Sequence, residues 1–304
     1  MTPSRYLYLN GQIVPYGEAL IHVQSAAVKY GTSVFEGLRA YWNARQGELY
    51  LFRLKEHIDR LYDSLRLMRM EHSFTRAELA SSILEVLRKN EYREDVHIRQ
   101  TAYLDADAME ATEPVGLAVD ALPRKLSTQA GISMCISSWM RIADGSMPPR
   151  IKCSANYQNS RLATLEAKTN GYDSALLLNS RGKLAEAPGA CCVVVRRGVP
   201  ITPPVTADIL ESVTRATLLH LFEKELGLAP EERDVDRTEI YVAEEAFICG
   251  SGWEITPILS VDKLPLGDGT QPGPVTRAIQ ACYFSVVRGE QPAYRDWLTP
   301  VYGR

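Results

Sequence analysis

The sequence predicts a two-domain protein whose domains mix helices and strands, in the α/β or α+β class. Its 304 residues exceed the usual size of one hydrophobic core, which favours two domains or one large one. Segments with alternating apolar residues, typical of strands, are interspersed with segments that carry apolar residues every three or four positions, typical of helices. The sequence contains no evident repeat, low-complexity tract or coiled-coil heptad. A mixed globular architecture therefore follows.

The first part of the chain combines a hairpin, two helices and two further strands. Its hairpin turn is Asn10-Gly11, a dipeptide typical of tight β-turns. The two helices carry apolar stripes, and Thr75 is the expected N-cap of the second. These elements are predicted as a hairpin over 6–14, helices over 51–70 and 75–90, and strands over 96–104 and 116–122.

A short segment rich in Pro, Lys, Ser and Gly separates this part from the rest. We interpret residues 123–131 as an interdomain loop, between a smaller N-terminal domain over 1–122 and a larger C-terminal domain over 132–304. The second domain has the same mixed pattern. Its predicted elements are a strand from 132, a helix over 156–171, strands over 175–187 and 191–201, a helix over 212–227, and a strand-turn-strand over 241–262.

Composition narrows the possible functions. A formal net charge of −3 and the lack of a long basic run argue against nucleic acid or an anionic membrane as partner. The start of the sequence has no signal-peptide pattern, no apolar run is long enough to span a bilayer, and the six cysteines form no CxxC pair. We therefore expect a cytoplasmic protein with reduced thiols, no metal site and small-molecule ligands. The sequence also lacks GxGxxG after its first strand, GxxxxGK[ST], HExxH and GxSxG.

A lysine in an apolar segment is the first candidate for chemistry. Lys152 lies between Ile151 and Cys153, in what the sequence predicts to be the end of a strand. A lysine amine can form a Schiff base with an aldehyde when apolar surroundings favour its neutral form. A lysine that reaches past its apolar neighbours to solvent is the commoner alternative, and the segment alone does not decide between the two.

Three further features fit a phosphorylated aldehyde cofactor. The start of the helix after Ser212 offers the amides of Val213 and Thr214 to an anion, although capping by Ser212 would explain the same residues without a ligand. Glu186 ends an apolar strand, where a protonated pyridine nitrogen would offset its charge, although an edge-strand glutamate facing water is about as common. Arg60 could donate two hydrogen bonds to a phosphate, or it could lie on a solvated helix face.

Five blocks of the sequence carry a recognisable pattern: residues 30–41, 52–61, 152–178, 202–215 and 243–262. Their motifs and their order resemble the branched-chain-amino-acid aminotransferases, pyridoxal-phosphate enzymes of fold type IV. The resemblance covers nearly the whole chain. It implies a small N-terminal α/β domain and a larger C-terminal pseudo-barrel domain, with pyridoxal 5′-phosphate as cofactor.

The resemblance assigns roles to individual residues. Lys152 matches the Schiff-base lysine, which also moves the substrate's α-proton. Tyr157 matches the tyrosine on the cofactor's phenolic oxygen, and Glu186 matches the glutamate on its pyridine nitrogen. The phosphate contacts correspond to Arg60, Val213, Thr214 and Ser251. The substrate pocket corresponds to Tyr30, Phe35, Gly37, Arg39, His97, Arg99, Gly252 and Trp253.

The pocket positions also contain departures from the family pattern. His97 replaces a tyrosine that helps to hold the substrate carboxylate, Gly252-Trp253 replaces the usual small residues, and residues 186–192 replace a more polar stretch. Arg99 matches the family's cation for the distal carboxylate of glutamate. The resemblance thus implies transfer of an amino group between leucine, isoleucine or valine and 2-oxoglutarate, as in branched-chain amino-acid biosynthesis.

Alternatives on the same scaffold remain open at this point. They are a D-amino-acid or (R)-amine transaminase, an aminodeoxychorismate lyase, and a binding protein that has lost the chemistry. Retention of Lys152, Tyr157 and Glu186 disfavours the last, and the 30–41 block with Arg99 favours the branched-chain enzyme. The resemblance further implies a homodimer as the smallest assembly.

Overall fold

A computed structural model describes residues 4–125 and 130–303. Packing divides these residues into two compact units. Unit 1 contains the described residues of Met1–Lys125, Ile151–Ala155 and Ser285–Arg304, and unit 2 contains those of Leu126–Arg150 and Asn156–Phe284. The short segment around Lys152 therefore packs with the N-terminal residues of the chain.

Unit 1 is built on a seven-stranded antiparallel sheet in the order β16-β4-β3-β5-β6-β1-β2. The predicted hairpin forms β1 and β2, and its turn residues Asn10 and Gly11 both have positive φ. The elements are β1 Tyr6–Leu9, β2 Gln12–Pro15, α1 Ala26–Tyr30, β3 Ser33–Asn43, β4 Glu48–Phe52, α2 Leu54–Leu67, α3 Arg76–Asn90, β5 Val96–Leu104, β6 Val115–Pro123 and β16 Leu298–Pro300.

Helices α2 and α3 provide the apolar face that packs on this sheet. Leu54, Ile58, Leu61 and Leu65 of α2 are buried in one core cluster with residues of β3 to β6, as the apolar stripe predicts. Each such burial stabilises the fold by about 2 kcal/mol. Thr75 caps α3 as predicted, and its Oγ1 accepts from the amide of Glu78 in a full capping box.

Unit 2 contains a nine-stranded mixed sheet. Seven strands follow the order β12-β11-β10-β13-β14-β7-β8, with β15 paired to β14 and β9 paired to β10. The elements are β7 Ile132–Ile136, α4 Tyr157–Thr169, β8 Ser174–Leu176, β9 Glu186–Ala187, β10 Ala190–Arg196, β11 Val199–Thr202, α5 Val213–Lys224, β12 Glu231–Glu232, α6 Arg237–Tyr241, β13 Glu245–Gly250, β14 Glu254–Val261, β15 Leu264–Pro265 and α7 Pro274–Val287, of which the residues from Ser285 onward belong to unit 1.

The predicted helices of the second domain are present, and the strand prediction over 191–201 corresponds to β10 and β11. The prediction over 175–187 is met only in part, because the chain between β8 and β9 forms an isolated bridge, from Leu178 to Leu184, rather than a continuous strand. Helix α4 begins after Asn156, whose side chain makes no capping hydrogen bond, and Gly171 follows its C-terminus with φ of 79°. Ser212 caps α5 through the amide of Arg215. Residues 251–253 form the predicted turn between β13 and β14.

These elements confirm the predicted mixed α/β fold class. Whether 1–122 and 132–304 fold as independent domains stays a prediction, and residues 126–129 of the predicted interdomain loop lie outside the described residues. No helix within 4–125 or 130–303 has the length and apolar character required to cross a membrane.

Candidate active site

Lys152 is buried beside strand β3 in unit 1. The amide of Phe35 donates to the Lys152 carbonyl at 2.9 Å, and the amide of Ser154 donates to the Ser33 carbonyl at 2.9 Å. The sequence predicted that Lys152 ends a strand, but the structure has only an isolated antiparallel bridge between Val34 and Cys153. The lysine is 9% exposed, so the solvent-facing alternative does not hold.

The side chain and the backbone of Lys152 each have a defined neighbour in unit 1. Its Nζ is 4.9 Å from the centroid of the Phe35 ring. Its backbone amide donates to Ser64 Oγ of α2 at 3.2 Å, which ties the lysine segment to that helix. The backbone of this lysine is therefore fixed from two elements, β3 and α2.

Arg60 does not lie on a solvated helix face. Its Nε and Nη2 donate to the two carboxylate oxygens of Glu36 at 2.8 and 2.7 Å. His57 Nδ1 lies 2.6 Å from Glu36 Oε2. Burial by itself raises the pKa of Glu36, but the charge and hydrogen bonds of Arg60, together with His57, outweigh it and lower that pKa to about 2.

Five of the predicted pocket residues lie on one face of the sheet of unit 1. Phe35, Gly37 and Arg39 alternate along β3, and the register places Arg39 opposite His97 and Gly37 opposite Arg99. A Cβ on Gly37 would lie 3.3 Å from His97 Nε2, which places the imidazole directly over this glycine. Five of the predicted pocket residues are therefore neighbours.

Arg99 is the cation at the centre of this face. Its guanidinium lies 3.6 Å from the Phe35 ring centroid and donates to Thr101 Oγ1 at 3.3 Å and Ser154 Oγ at 3.4 Å. Ser154 Oγ also lies 2.8 Å from Ser33 Oγ. Arg99 thus contacts Ser154, in the segment beside the start of β3 that also contains Lys152.

His97 is a neutral ring among cations. Burial of the ring is the largest cause that lowers the pKa of His97 to about 3. Four positive charges lower it further: Arg124, Arg39, Lys152 and Arg99. At neutral pH the imidazole therefore offers one hydrogen-bond donor and one acceptor without a charge.

Glu186 has a cationic partner within unit 2 that sequence reasoning missed. Arg141 Nη2 lies 2.6 Å from Glu186 Oε1, and both side chains are buried. Oε2 accepts from the amide of Leu210 at 3.2 Å and lies 3.8 Å from Cys191 Sγ. Burial, and then the charge of Glu186, raises the pKa of Cys191 well above its usual range, so the thiol is protonated.

The turn that follows Glu186 contacts Tyr157. A Cβ on Gly189 would lie 3.7 Å from the Tyr157 ring, and a Cβ on Gly250 would lie 3.3 Å from the Gly189 carbonyl oxygen. Tyr157 is the first residue of α4, and Gly250 immediately precedes the turn that carries Ser251. The tyrosine, the glutamate and this turn therefore occupy one region of unit 2.

Helix α5 begins close to the same region. The Leu210 amide that contacts Glu186 precedes the helix by three residues. Ser212 satisfies the amide of Arg215, whereas the first amides of a helix, here Val213 and Thr214, have no acceptor inside it. Unit 2 thus places Glu186 beside the segment that leads into α5 and its first amides.

Two further predicted pocket residues, Tyr30 and Trp253, are only partly buried. Tyr30 ends α1 and is 45% exposed, with Lys29 Nζ 5.3 Å from its ring centroid. The amide of Trp253 donates to the Gly250 carbonyl at 3.0 Å, which closes the turn. The rest of unit 1 therefore covers Tyr30 only in part.

Residues missed by the sequence reasoning are those whose partners are distant in the chain. Arg141 meets Glu186 across 45 positions, and Glu36 meets Arg60 across 24. A signal existed for Glu36, a carboxylate in an apolar strand, and for His57 and Arg60, which are three residues apart on an amphipathic helix. No comparable signal marked Ser64 or Arg141.

Comparison with known proteins identifies the family. A model of the class IV aminotransferases matches residues 33–261. The chain is 40% identical to a probable branched-chain-amino-acid aminotransferase of Aquifex aeolicus, over 98% of this chain and 97% of that protein. The chain therefore belongs to the class IV aminotransferases.

Within that family, solved relatives are branched-chain enzymes with the same fold. The branched-chain amino acid aminotransferase of Thermobaculum terrenum, in its PLP-form, is 44% identical with a TM-score of 0.93, over 99% of both chains. The branched-chain aminotransferase of Thermoproteus uzoniensis, solved with norvaline, is 38% identical with a TM-score of 0.93, over 98% of this chain and 100% of that one. The resemblance and the fold type predicted from the sequence are confirmed.

Proposed function

We propose that this protein is a pyridoxal-phosphate-dependent aminotransferase that moves an amino group between branched-chain L-amino acids and 2-oxoglutarate. The observation that carries the proposal is the buried Lys152, next to the sheet face that carries Phe35 and Arg99. End-to-end similarity to branched-chain-amino-acid aminotransferases supports the same substrates.

The side chains present fit the chemistry of the cofactor. Its aldehyde, its phosphate and its ring nitrogen require an amine, anion-binding donors and a carboxylate, and the two units contain a buried example of each. Pyridoxal phosphate, when bound, supplies an aldehyde that condenses with amines and a ring that accepts electrons. The residues that would hold it are Lys152, Arg60, Tyr157, Glu186, Val213, Thr214 and Ser251.

Lys152 also performs the proton transfer. Its amine removes the α-proton of the donor amino acid and returns a proton when the acceptor takes the amino group. Burial beside Phe35 limits the access of water to this lysine. With the cofactor bound, the carboxylate of Glu186 would favour a protonated ring nitrogen. The contact with Arg141 fixes one of the two carboxylate oxygens.

The substrate face suits both apolar and acidic side chains. The Phe35 ring accepts a branched aliphatic group, and Arg99 accepts the distal carboxylate of glutamate or 2-oxoglutarate. Neutral His97 donates one hydrogen bond to a substrate carboxylate, beside Arg39. Tyr30, Gly252 and Trp253 complete the proposed pocket.

A single-turnover donor panel tests this proposal. Leucine, isoleucine and valine should each change the absorption spectrum of the holoenzyme. Each should release its 2-oxo acid in an amount equal to that of the active sites that react. D-leucine and (R)-1-phenylethylamine serve as controls for the related transaminases. If a control reacts and none of the three L-amino acids does, the substrate assignment is wrong.

The lyase alternative has its own readout and no support from the relatives described above. Aminodeoxychorismate should give no pyruvate with this protein. If pyruvate is released without amino transfer, the protein is a lyase and the proposed aminotransferase function is wrong.

The smallest assembly that we propose is a homodimer in the cytoplasm. Residues 16–30 of unit 1 expose several apolar side chains, among them Leu20 at 74% and Val23 at 70%, and such a patch is typical of an interface. All six cysteines are free thiols, which fits a reducing compartment. Light scattering should give twice the chain mass, and Leu20→Glu with Val23→Glu should lower it; a monomeric unaltered protein would contradict the dimer.

A further inference from the structure

Glu36 is a buried carboxylate without a role in the chemistry described above. It is fully buried on the face of β3 opposite to that of Phe35 and Gly37, since side chains alternate along a strand. A charge in such a place is tolerated only with strong partners, and Glu36 has two on helix α2, Arg60 and His57.

The contact geometry fixes the orientation of one guanidinium. Nε and Nη2 of Arg60 form one edge of the planar group, and both donate to Glu36. A fork-to-fork pair of this kind sets the plane of the guanidinium as well as its position. The Nη1 end of Arg60 is thereby directed away from the carboxylate.

His57 in turn fixes the carboxylate. Its Nδ1 lies 2.6 Å from Oε2, the same oxygen that accepts from Arg60 Nη2. Burial lowers the pKa of His57, and the Glu36 hydrogen bond opposes that effect. Because a neutral imidazole has one N–H, a neutral His57 places it on Nδ1 to donate to the carboxylate.

The oriented guanidinium lies one helical turn from the lysine contact. Arg60 and Ser64 are four residues apart and so share a face of α2. Ser64 Oγ accepts from the Lys152 amide at 3.2 Å. The three residues on α2 thus connect the carboxylate of Glu36 to the segment that carries the proposed cofactor lysine.

We infer that Glu36 and His57 are positioning residues that hold Arg60 in the orientation in which it binds the phosphate of the cofactor. This inference rests on the proposed function, in which Arg60 is a phosphate ligand. The ion pair restrains a long side chain before the phosphate arrives, so the ordering of Arg60 is not a cost of binding. The effect is therefore specific to the phosphate.

Two ligands that differ only in the phosphate test the inference. Dissociation constants of the full-length apoprotein are measured for pyridoxal phosphate and for pyridoxal, with the unaltered chain, Glu36→Gln and Arg60→Gln. Glu36→Gln should weaken pyridoxal phosphate about tenfold, the equivalent of one side chain that must be ordered on binding. Its affinity for pyridoxal should stay within about twofold, since pyridoxal has no group for Arg60.

A second pair of variants covers the case in which Glu36→Gln does not fold. His57→Phe keeps the ring but removes the donor to Glu36 and should weaken pyridoxal phosphate about fivefold. His57→Asn supplies an amide donor and should recover part of that loss. These variants also retain the Glu36–Arg60 pair.

The possible results distinguish the role of Arg60 as a phosphate ligand from the positioning role of Glu36 and His57. Arg60→Gln without effect on pyridoxal phosphate would overturn Arg60 as a phosphate ligand, and with it the inference. Arg60→Gln with an effect, but Glu36→Gln and His57→Phe with none, would overturn the positioning role alone. If Glu36→Gln or His57→Phe weakens the binding of both ligands equally, the substituted residue supports only the general structure of the site. That result would also overturn the inference.

Discussion

At the residue scale, the central feature is a set of buried charges that would each be costly in apolar surroundings on their own. Lys152, Glu36 and Glu186 belong to this set. The sequence identified Lys152 and Glu186 because charged residues are unusual in apolar segments. It could not identify Arg141, because the loop that carries it gives no periodic signal and its partner is 45 positions away.

The Arg141–Glu186 pair should dominate local stability. Arg141→Gln leaves a buried carboxylate without its cation and should lower the free energy of unfolding by about 3–5 kcal/mol. Arg181→Gln is the matched control, because the Arg181–Asp234 pair is solvent-exposed and contributes at most about 1 kcal/mol. Urea unfolding compares the two. Equal losses for both variants would refute the buried pair as a strong contact.

His97 should make stability depend on pH. The folded protein lowers the pKa of His97 from 6.5 to about 3, so below pH 6.5 the unfolded chain binds a proton that the folded chain does not. Stability should therefore be complete above pH 6.5 and fall as pH decreases toward 3, by about 1.4 kcal/mol per pH unit from this residue.

The variant His97→Asn should remove that contribution. Its free energy of unfolding should fall less steeply than that of the unaltered chain between pH 6.5 and 5. Parallel pH profiles for the two proteins would mean that His97 titrates normally in the folded state.

At the element scale, the sequence predicted the regular helices and strands, but it did not predict the structure of the segment around Lys152. Alternation predicted the β1–β2 hairpin, and apolar stripes predicted α2 and α3, because those signals are local. Residues 152–154 pair with the start of β3, about 120 positions earlier, and such a pairing has no local signature. The sequence consequently suggested a strand end where the structure has one bridge.

Ser64 should connect helix α2 to this segment energetically. Ser64→Ala removes the acceptor for the Lys152 amide and leaves a buried donor unsatisfied, which costs about 1–3 kcal/mol. Ser81→Ala, on the exposed face of α3, should stay within about 0.5 kcal/mol of the unaltered protein.

Hydrogen exchange provides the local readout. The amide of Lys152 should exchange faster in Ser64→Ala than in Ser81→Ala. Unchanged protection would show that β3 alone holds the segment.

At the scale of the whole molecule, the residues proposed for function are divided between the two units. Unit 1 carries Lys152, Arg60 and the substrate face, and unit 2 carries Tyr157, Glu186 and the start of α5. The surroundings of Lys152, Arg60, Glu186 and the start of α5 in the sequence made them candidates, each with an alternative explanation. Only the resemblance to a family favoured these roles over the alternatives, since composition and periodicity contain no information on which distant residues meet. The grouping of residues 151–155 with unit 1 required the structure.

Locating the cofactor on the chain tests the central claim most directly. Borohydride reduction of the holoenzyme fixes the covalent link between lysine and cofactor, and trypsin then cleaves after Arg150 and Arg161 but not after a modified Lys152. Mass spectrometry should find one phosphopyridoxyl group on the peptide of residues 151–161. A phosphopyridoxyl group on another lysine, with this peptide cleaved at Lys152, would contradict the account.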